Sequence, residues 1–321
     1  MGIIAAHLIA ITVSYLLDRL FGDPHFSFHP VVLMGRMISY IEKKWNKGRW
    51  IKGKGILASF LPAILLFGLS YVLTFTAYQF SIWTGILTEA LIIWFMIGGT
   101  SMVKEAKQIY DYLSQDDLAK AREQTAMIVS RNTDQMDDTQ ITRSVLESTG
   151  ENISDSVTAP FFYAFIGGAP LAVFYRYINT SDAMIGYTSK RFKEFGWAAA
   201  RSDDVLNYLP ARLTALVMTL TVWKIKASSW LSTVLVIKHY APLHESPNSG
   251  YGEAAMAGIL HVKLGGPTPY LDKWVKRPYF GNGDRCLHAE LIKEGLIVWH
   301  LSIIYFISLL WITGGLYYVL A

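Results

Sequence analysis

Two uncharged apolar runs constrain this chain more than anything else in it. Ile56–Phe80 is 25 residues without Lys, Arg, Asp or Glu, and 296–321 is 26 more. About 20 apolar residues cross a hydrocarbon core of roughly 30 Å, so both runs are long enough to span a bilayer. Ile3–Leu17 and Gly85–Val103 are weaker runs of the same kind, the latter interrupted only by Glu89. Charged residues make up 17% of the chain, against about 25% in soluble domains, which excludes a disordered polyelectrolyte. A single cysteine, Cys286, excludes a disulfide scaffold or a multi-cysteine zinc site. A net charge of +4 without a basic face gives no nucleic-acid footprint.

These runs predict an all-α, polytopic helical membrane protein. It should form one domain over 1–321, with about four full spans near 3–17, 56–80, 85–103 and 296–320. Two shorter segments, 156–177 and 206–223, are ambiguous. The first is interrupted by Gly167-Gly168-Ala169-Pro170, which suits a re-entrant hairpin as well as a crossing. The first run has no basic residues before it and no small-residue cleavage site after it, so it reads as a retained span. The 18–55 loop holds eight Lys/Arg and the 81–84 link none. The positive-inside rule therefore puts 18–55 in the cytoplasm and the N-terminus outside. Nine Lys/Arg in 224–293 put that segment inside as well, so the two ambiguous segments both cross or neither does. The reading in which neither crosses is preferred.

Polar residues beside spans are functional candidates. They fall into four loops, 18–55, 104–155, 178–205 and 224–295. Gly22-Asp23-Pro24 is a turn that would hold Asp23 and His29 at the membrane surface. Asp138 is the expected N-cap of a helix on which Arg143, Glu147, Glu151 and Asp155 follow at steps of four. Such residues share one face, and three adjacent acids repel unless a cation sits among them. Mg²⁺ suits oxygen ligands of this kind, and Asn152 adds a neutral donor. The plain alternative is a solvated stripe with Arg143 paired to Glu147. Asp182, Lys190, Arg191, Arg201, Asp203, Asp204, Asn207 and Arg212 mix signs as a phosphate held near a metal would require. Amphipathic interfacial helices anchored by Tyr187 and Trp197 would look the same. Ser246-Pro247-Asn248-Ser249-Gly250 is a turn opening onto a helix around Glu253. There is no GxxxxGK[ST], no GxGxxG after a strand and no HExxH.

Taken together the motifs resemble the adenosylcobinamide-phosphate synthase family of cobalamin biosynthesis. The resemblance rests on Gly22-Asp23-Pro24 with His29-Pro30-Val31, Arg131-Asn132-Thr133, and Glu147-Ser-x-x-Glu151-Asn152-x-Ser-Asp155. It continues through Asn179-Thr180 with Asp182 and Gly186-Tyr187, Phe195-Gly196-Trp197 through Arg201, Asp203 and Asp204, and Leu209-Pro210-Ala211-Arg212. It ends with His244-x-Ser246-Pro247-Asn248-Ser249-Gly250, Glu253 and Gly265-Gly266-Pro267. Three departures stand out. Thr149-Gly150 replaces better helix formers, predicting a looser helix; Gly252 replaces a larger residue; Asn132 follows Arg131 where an aspartate is usual.

The resemblance implies an enzyme of the bacterial cytoplasmic membrane with its polar loops facing the cytoplasm. It implies an ATP- and Mg²⁺-dependent ligation of adenosylcobyric acid, a corrinoid substrate, to an aminopropanol phosphate. The product would be adenosylcobinamide phosphate, and other membrane-bound enzymes of cobalamin assembly would be partners. On that reading His29 and His244 are the candidate bases, and Glu151, Asp203 and Asp204 the catalytic carboxylates. Glu147, Glu151 and Asp155 would position metal. Substrate contacts fall to Asp23, Arg131, Asn152, Asn179, Asp182, Tyr187, Lys190, Arg201, Asn207, Arg212, Ser246, Asn248 and Glu253. A non-catalytic corrinoid-binding or scaffold relative stays open. A transporter fits less well, because only Glu89 places a charge inside the strong spans.

Overall fold

A computed structural model describes residues 2–24, 28–270, 273–275 and 277–320, with backbone alone at 268–270 and 273–275. Fourteen α-helices follow one another among the described residues. They are α1 (Ile3–Phe21), α2 (Pro30–Trp45), α3 (Ile51–Phe80), α4 (Ile82–Met96), α5 (Gly99–Ser114), α6 (Leu118–Thr125) and α7 (Asp138–Ile153). A π-helical turn, Ser154–Thr158, leads to α8 (Ala159–Ile185), α9 (Trp197–Leu206), α10 (Tyr208–Thr219), α11 (Val222–Ile225), α12 (Trp230–Tyr240), α13 (Ser249–Leu260) and α14 (Glu290–Leu320). Between α13 and α14, β1 (Leu264–Gly265) pairs antiparallel with β4 (Tyr279–Phe280), and β2 (Thr268–Tyr270) with β3 (Lys273–Val275). The chain divides into two compact units. Unit 1 is Met1–Gly98, Ser156–Asn207 and Ile307–Ala321; unit 2 is Gly99–Asp155 and Tyr208–Phe306.

Among the described residues five helical stretches are long and apolar enough to cross a membrane: Ile3–Phe21, Ile51–Phe80, Ile82–Ser114, Asp138–Ile185 and Glu290–Leu320. The four strong runs are among them. The ambiguous 156–177 segment belongs to a fifth, while 206–223 qualifies only together with α9 before it.

In unit 1, α3 turns its small residues inward. Gly55, Ala58, Ser59, Pro62, Ala63, Ser70, Thr74 and Ala77 are buried, whereas Leu57, Leu61, Ile64, Leu65, Leu69, Val72 and Phe75 are exposed. Water would reverse this pattern; lipid rewards it, because apolar tails cover large side chains and small ones let backbones approach. The inward hydroxyls are satisfied locally, Ser59 donating to Gly55 O at 2.9 Å and Thr74 to Ser70 O at 3.0 Å. Pro62 has no N–H for the carbonyl of Ala58 one turn earlier. The buried Tyr177 hydroxyl donates to that carbonyl instead, at 3.0 Å. The predicted break in α8 is real: Gly167 and Gly168 leave helical geometry, Gly168 with φ +65°. The N–H of Ala169 beyond the break faces the Glu89 carboxylate on α4. His7 Nε2 on α1 stands 3.6 Å from the same group.

Unit 2 is organised around the packing of α7 on α13. α7 starts in a capping box, with Asp137 accepting from Gln140 N at 2.7 Å and Gln140 Oε1 accepting from Asp137 N at 3.0 Å. The cap is therefore Asp137 and not Asp138, because only Asp137 has Gln three residues into the helix. Ile141 and Val145 enter an apolar cluster with Ala106, Ile109, Ala121, Met136 and Ile292. The opposite side of α7 crosses α13 at two glycines. A Cβ on Gly150 would lie 2.9 Å from Gly252 O, and one on Gly252 only 2.3 Å from Gly150 O. The two departures from the family pattern thus compensate each other, and Gly150 tightens a helix crossing where a looser helix was expected.

Candidate functional site

The Gly150–Gly252 crossing fixes what surrounds it. Glu147 and Glu151 lie on either side of Gly150 on α7, and Ser249 and Glu253 on either side of Gly252 on α13. Their side chains form one polar network within unit 2. Glu147, 2% exposed, accepts from Arg131 Nη2 at 2.7 Å, Arg277 Nη1 at 3.3 Å and Gly265 N at 2.6 Å. Arg277 also reaches Glu253 at 3.3 Å and His244 Nε2 at 3.1 Å. Glu151 Oε1 accepts from the Ser249 hydroxyl at 2.7 Å. Ser246 Oγ accepts from the N–H groups of Asn248 and Ser249 at the start of α13. Asn152 donates back to Ser148 O at 2.9 Å. Arg212 lies 3.5 Å from the centre of the Tyr208 ring and 4.2 Å from that of Tyr251, and donates to Asn248 Oδ1 at 3.1 Å.

Both ring nitrogens of His244 are engaged. Nδ1 meets the Ser246 backbone, N at 2.9 Å and O at 3.3 Å, while Nε2 meets Arg277 and Glu253. Burial alone would push the imidazole down. The Glu253 carboxylate, 3.5 Å away, outweighs it and holds His244 above its ordinary pKa. Burial likewise holds Glu253 above the usual carboxylate range. In this arrangement His244 braces the Glu253–Arg277 pair, and neither nitrogen is free to act as the base expected from sequence.

The expected metal face also looks different. Arg277 and Arg131 neutralise Glu147, so the plain i,i+4 pair with Arg143 does not form either. The π-helical turn breaks the four-residue register before Asp155. Among the described residues no three His, Cys, Asp or Glu side chains could hold a metal ion. The residues at 147, 151 and 155 do not fit a resident Mg²⁺. Arg277 was missed altogether. It sits about 130 residues from Glu147 with no periodic pattern linking them, and only its membership of a basic segment marked it.

A second polar network lies in unit 1. Asp203 accepts from Asn179 Nδ2 at 3.2 Å and Asn207 Nδ2 at 3.0 Å, and Asn207 Oδ1 accepts from the buried Tyr175 hydroxyl at 2.8 Å. Asp204 pairs with Arg201 at 3.1 Å, near the surface. Asp23 and His29 meet at 3.0 Å, with the His29 ring edge-on to Phe95. Tyr187 donates to Ala183 O at 2.9 Å, Lys190 is exposed, and the carbonyl of Asp182 closes the last turn of α8 by accepting from Gly186 N at 2.7 Å. Sequence reasoning passed over the fork of Arg191 on Glu42, at 3.0 and 2.9 Å. This fork holds Glu42 below the usual carboxylate range despite its partial burial.

The expected site residues therefore divide between the two units. Unit 2 holds Arg131, Glu147, Glu151, Asn152, Asp155, Arg212, His244, Ser246, Asn248 and Glu253; unit 1 holds the rest. Comparison with known proteins shows the family. The family model described as CobD/Cbib protein matches residues 11–299. The cobalamin biosynthesis protein CobD of Halalkalibacterium halodurans is 40% identical over 317 residues, 99% of each chain. CobD of Clostridium perfringens is 35% identical over 87% of this chain and 89% of its own. CbiB of Salmonella arizonae is 31% identical over 92% and 94%. No solved structure matches. With the family model covering most of its length and relatives alike from end to end, this chain belongs to the CobD/CbiB family of cobalamin biosynthesis proteins.

Proposed function

We propose that this chain catalyses the ATP-dependent joining of a corrin propionate, on adenosylcobyric acid, to the amine of an aminopropanol phosphate. One observation supports this reading above the rest. Motif residues nearly a hundred positions apart, Glu147 and Glu151 against His244, Ser246, Ser249 and Glu253, meet in one network around Arg277. A scaffold that had lost its chemistry would have no reason to keep buried carboxylates and arginines matched in this way.

Amide formation requires the carboxylate to be activated. Its oxygen attacks the γ-phosphorus of ATP and ADP leaves; the neutral amine then attacks the acyl carbon and phosphate leaves. Mg²⁺ enters as part of the nucleotide substrate. Within unit 2, Arg131 and Arg277 supply fixed positive charge and can share it with an anionic substrate. Glu151, held by a single hydroxyl from Ser249, is the carboxylate best able to accept the ammonium proton. The eight Lys/Arg of 18–55 support a cytoplasmic placement of the loops, where ATP is available.

The test is product formation by the purified protein in nanodiscs, given adenosylcobyric acid, aminopropanol phosphate, ATP and Mg²⁺ and read by mass spectrometry. Adenosylcobinamide phosphate should appear, vanish without ATP, and fall strongly in Glu151→Gln. Folded protein that binds the corrinoid and makes no product would turn the reading toward a non-catalytic corrinoid-binding relative.

A further inference from the structure

Unit 2 contains a second feature that the network above does not use. Toward the N-terminal end of α7, Thr139 and Arg143 line an open cleft of about 980 Å³, together with Lys263, Tyr279 and the loop Gly281-Asn282-Gly283. Thr139 and Arg143 continue the four-residue row of Glu147 and Glu151, so the cleft adjoins the polar network along the same helix face. Its volume falls at the upper end of what organic ligands occupy.

The cleft is electropositive because two of its cations are uncompensated. Arg143 has no acidic partner among the described residues, and its Nε is buried without a hydrogen-bond partner. Lys263 is exposed and likewise has no acidic partner among them. Arg285, the third cation, is neutralised by Glu294 at 2.8 and 2.7 Å. The one acid on the rim, Asp284, is turned to His261 at 3.4 Å and is otherwise solvated. Arg131 and Arg277 differ in that each already has a buried carboxylate as a partner. A partly buried guanidinium without an acidic partner is costly, and a phosphate in the cleft would offset its charge. Gly281, with φ +91°, and Gly283 are buried while Asn282 between them is exposed. The loop thus presents a neutral amide beside the two charges.

We propose that this cleft binds the polyphosphate of the nucleoside triphosphate, with Arg143 and Lys263 as its charge partners and Asn282 on its rim. The proposal rests on the ligase reading, because it assigns that reaction's nucleotide to a place. A phosphate ester could equally come from the aminopropanol phosphate. The cleft's size and its two free cations favour the longer anion.

The test uses full-length protein in zwitterionic nanodiscs and a fluorescent N-methylanthraniloyl ATP. Inorganic tripolyphosphate should displace it and aminopropanol phosphate should not. Lys263→Gln and Arg143→Gln should each weaken nucleotide binding by about tenfold or more, as expected for one charge-assisted contact. Both should raise the KM for ATP and leave that for the aminopropanol phosphate unchanged. Lys263, being exposed, guards against a folding artefact at Arg143. Equal nucleotide affinity in Lys263→Gln and wild type, or displacement by aminopropanol phosphate as effective as by tripolyphosphate, would overturn the assignment. If wild type forms product with ATP while Lys263→Gln keeps its KM for ATP, the cleft is wrong and the reaction stands. If wild type forms no product at all, the reaction itself fails.

Discussion

Glu89 in unit 1 and Glu147 in unit 2 are both about 2% exposed, and the two units accommodate them by opposite means. Glu89 lies among apolar spans with His7, the Tyr78 hydroxyl and the N–H of a broken helix around it and, among the described residues, no arginine. Glu147 takes two arginines and a backbone N–H. The packing differs in the same sense. α3 faces its small residues inward and its leucines outward, while α7 buries Ile141 and Val145 and reserves another face for charge. Unit 1 has the grammar of a lipid-embedded bundle and unit 2 that of a domain with a charged interior. The difference teaches where to look for chemistry, since fixed buried ion pairs are kept at a cost.

The sharpest way to break the comparison is to remove a partner on each side. Arg277→Ala leaves Glu147 short of one cation and Glu253 without its arginine. Breaking a buried pair in this way costs about 3–5 kcal/mol, and turnover should be lost with it. Glu89→Gln removes a carboxylate that has no arginine to strand, so thermal unfolding in detergent should shift far less. Equal shifts in the two variants would mean that the units do not handle buried charge differently.

How legible this was depended on the range of each interaction. The spans could be read from charge-free runs, and the α8 break from Gly167-Gly168 followed by Pro170, because those signals are local. The Asp203–Asn207 contact is equally local, an i,i+4 pair that meets at 3.0 Å. The same rule applied to Arg143 and Glu147 fails. Glu147 is claimed by Arg131 from the loop before α7 and by Arg277 from beyond α13, and no helical period reports either. At Glu147 the positive charge that a row of acids calls for is supplied as guanidinium, by Arg131 and Arg277. Asn132 can be explained at short range. Its Oδ1 accepts from Asp134 N at 2.8 Å, an Asx turn that an aspartate would also make.

A smaller effect separates two helical glycines. Gly252→Ala places a methyl against the backbone of Gly150, which cannot move aside as a side chain would. Overpacking of this kind costs about 1–3 kcal/mol and should spread Glu151 from Ser249, lowering turnover. Gly68→Ala on α3 meets nothing within 4 Å, and its thermal midpoint should hold or rise slightly because alanine is the better helix former. A Gly252→Ala protein as stable and active as wild type would remove the close crossing as the element that assembles the network.

The weakest expected effects are the pH dependences of the two units, and they run in opposite directions. His244 is held above its ordinary pKa by Glu253, so its contribution to stability is complete below the unfolded imidazole value of about 6.5 and is lost as pH rises through the folded value. Glu42 is held below the usual carboxylate range, chiefly by its hydrogen bonds from Arg191. Its contribution is therefore complete above the unfolded carboxylate value, about 4.3, and is lost as pH falls through the folded one. Arg191 is 63% exposed, so water and salt screen that pair and the acid-side effect should be the smaller. Thermal midpoints measured from pH 4 to pH 9 check both arms. His244→Gln should flatten the alkaline arm alone, and Glu42→Gln the acid arm alone. Added salt should erase the Glu42 difference while leaving most of the His244 difference, because the buried pair is screened far less.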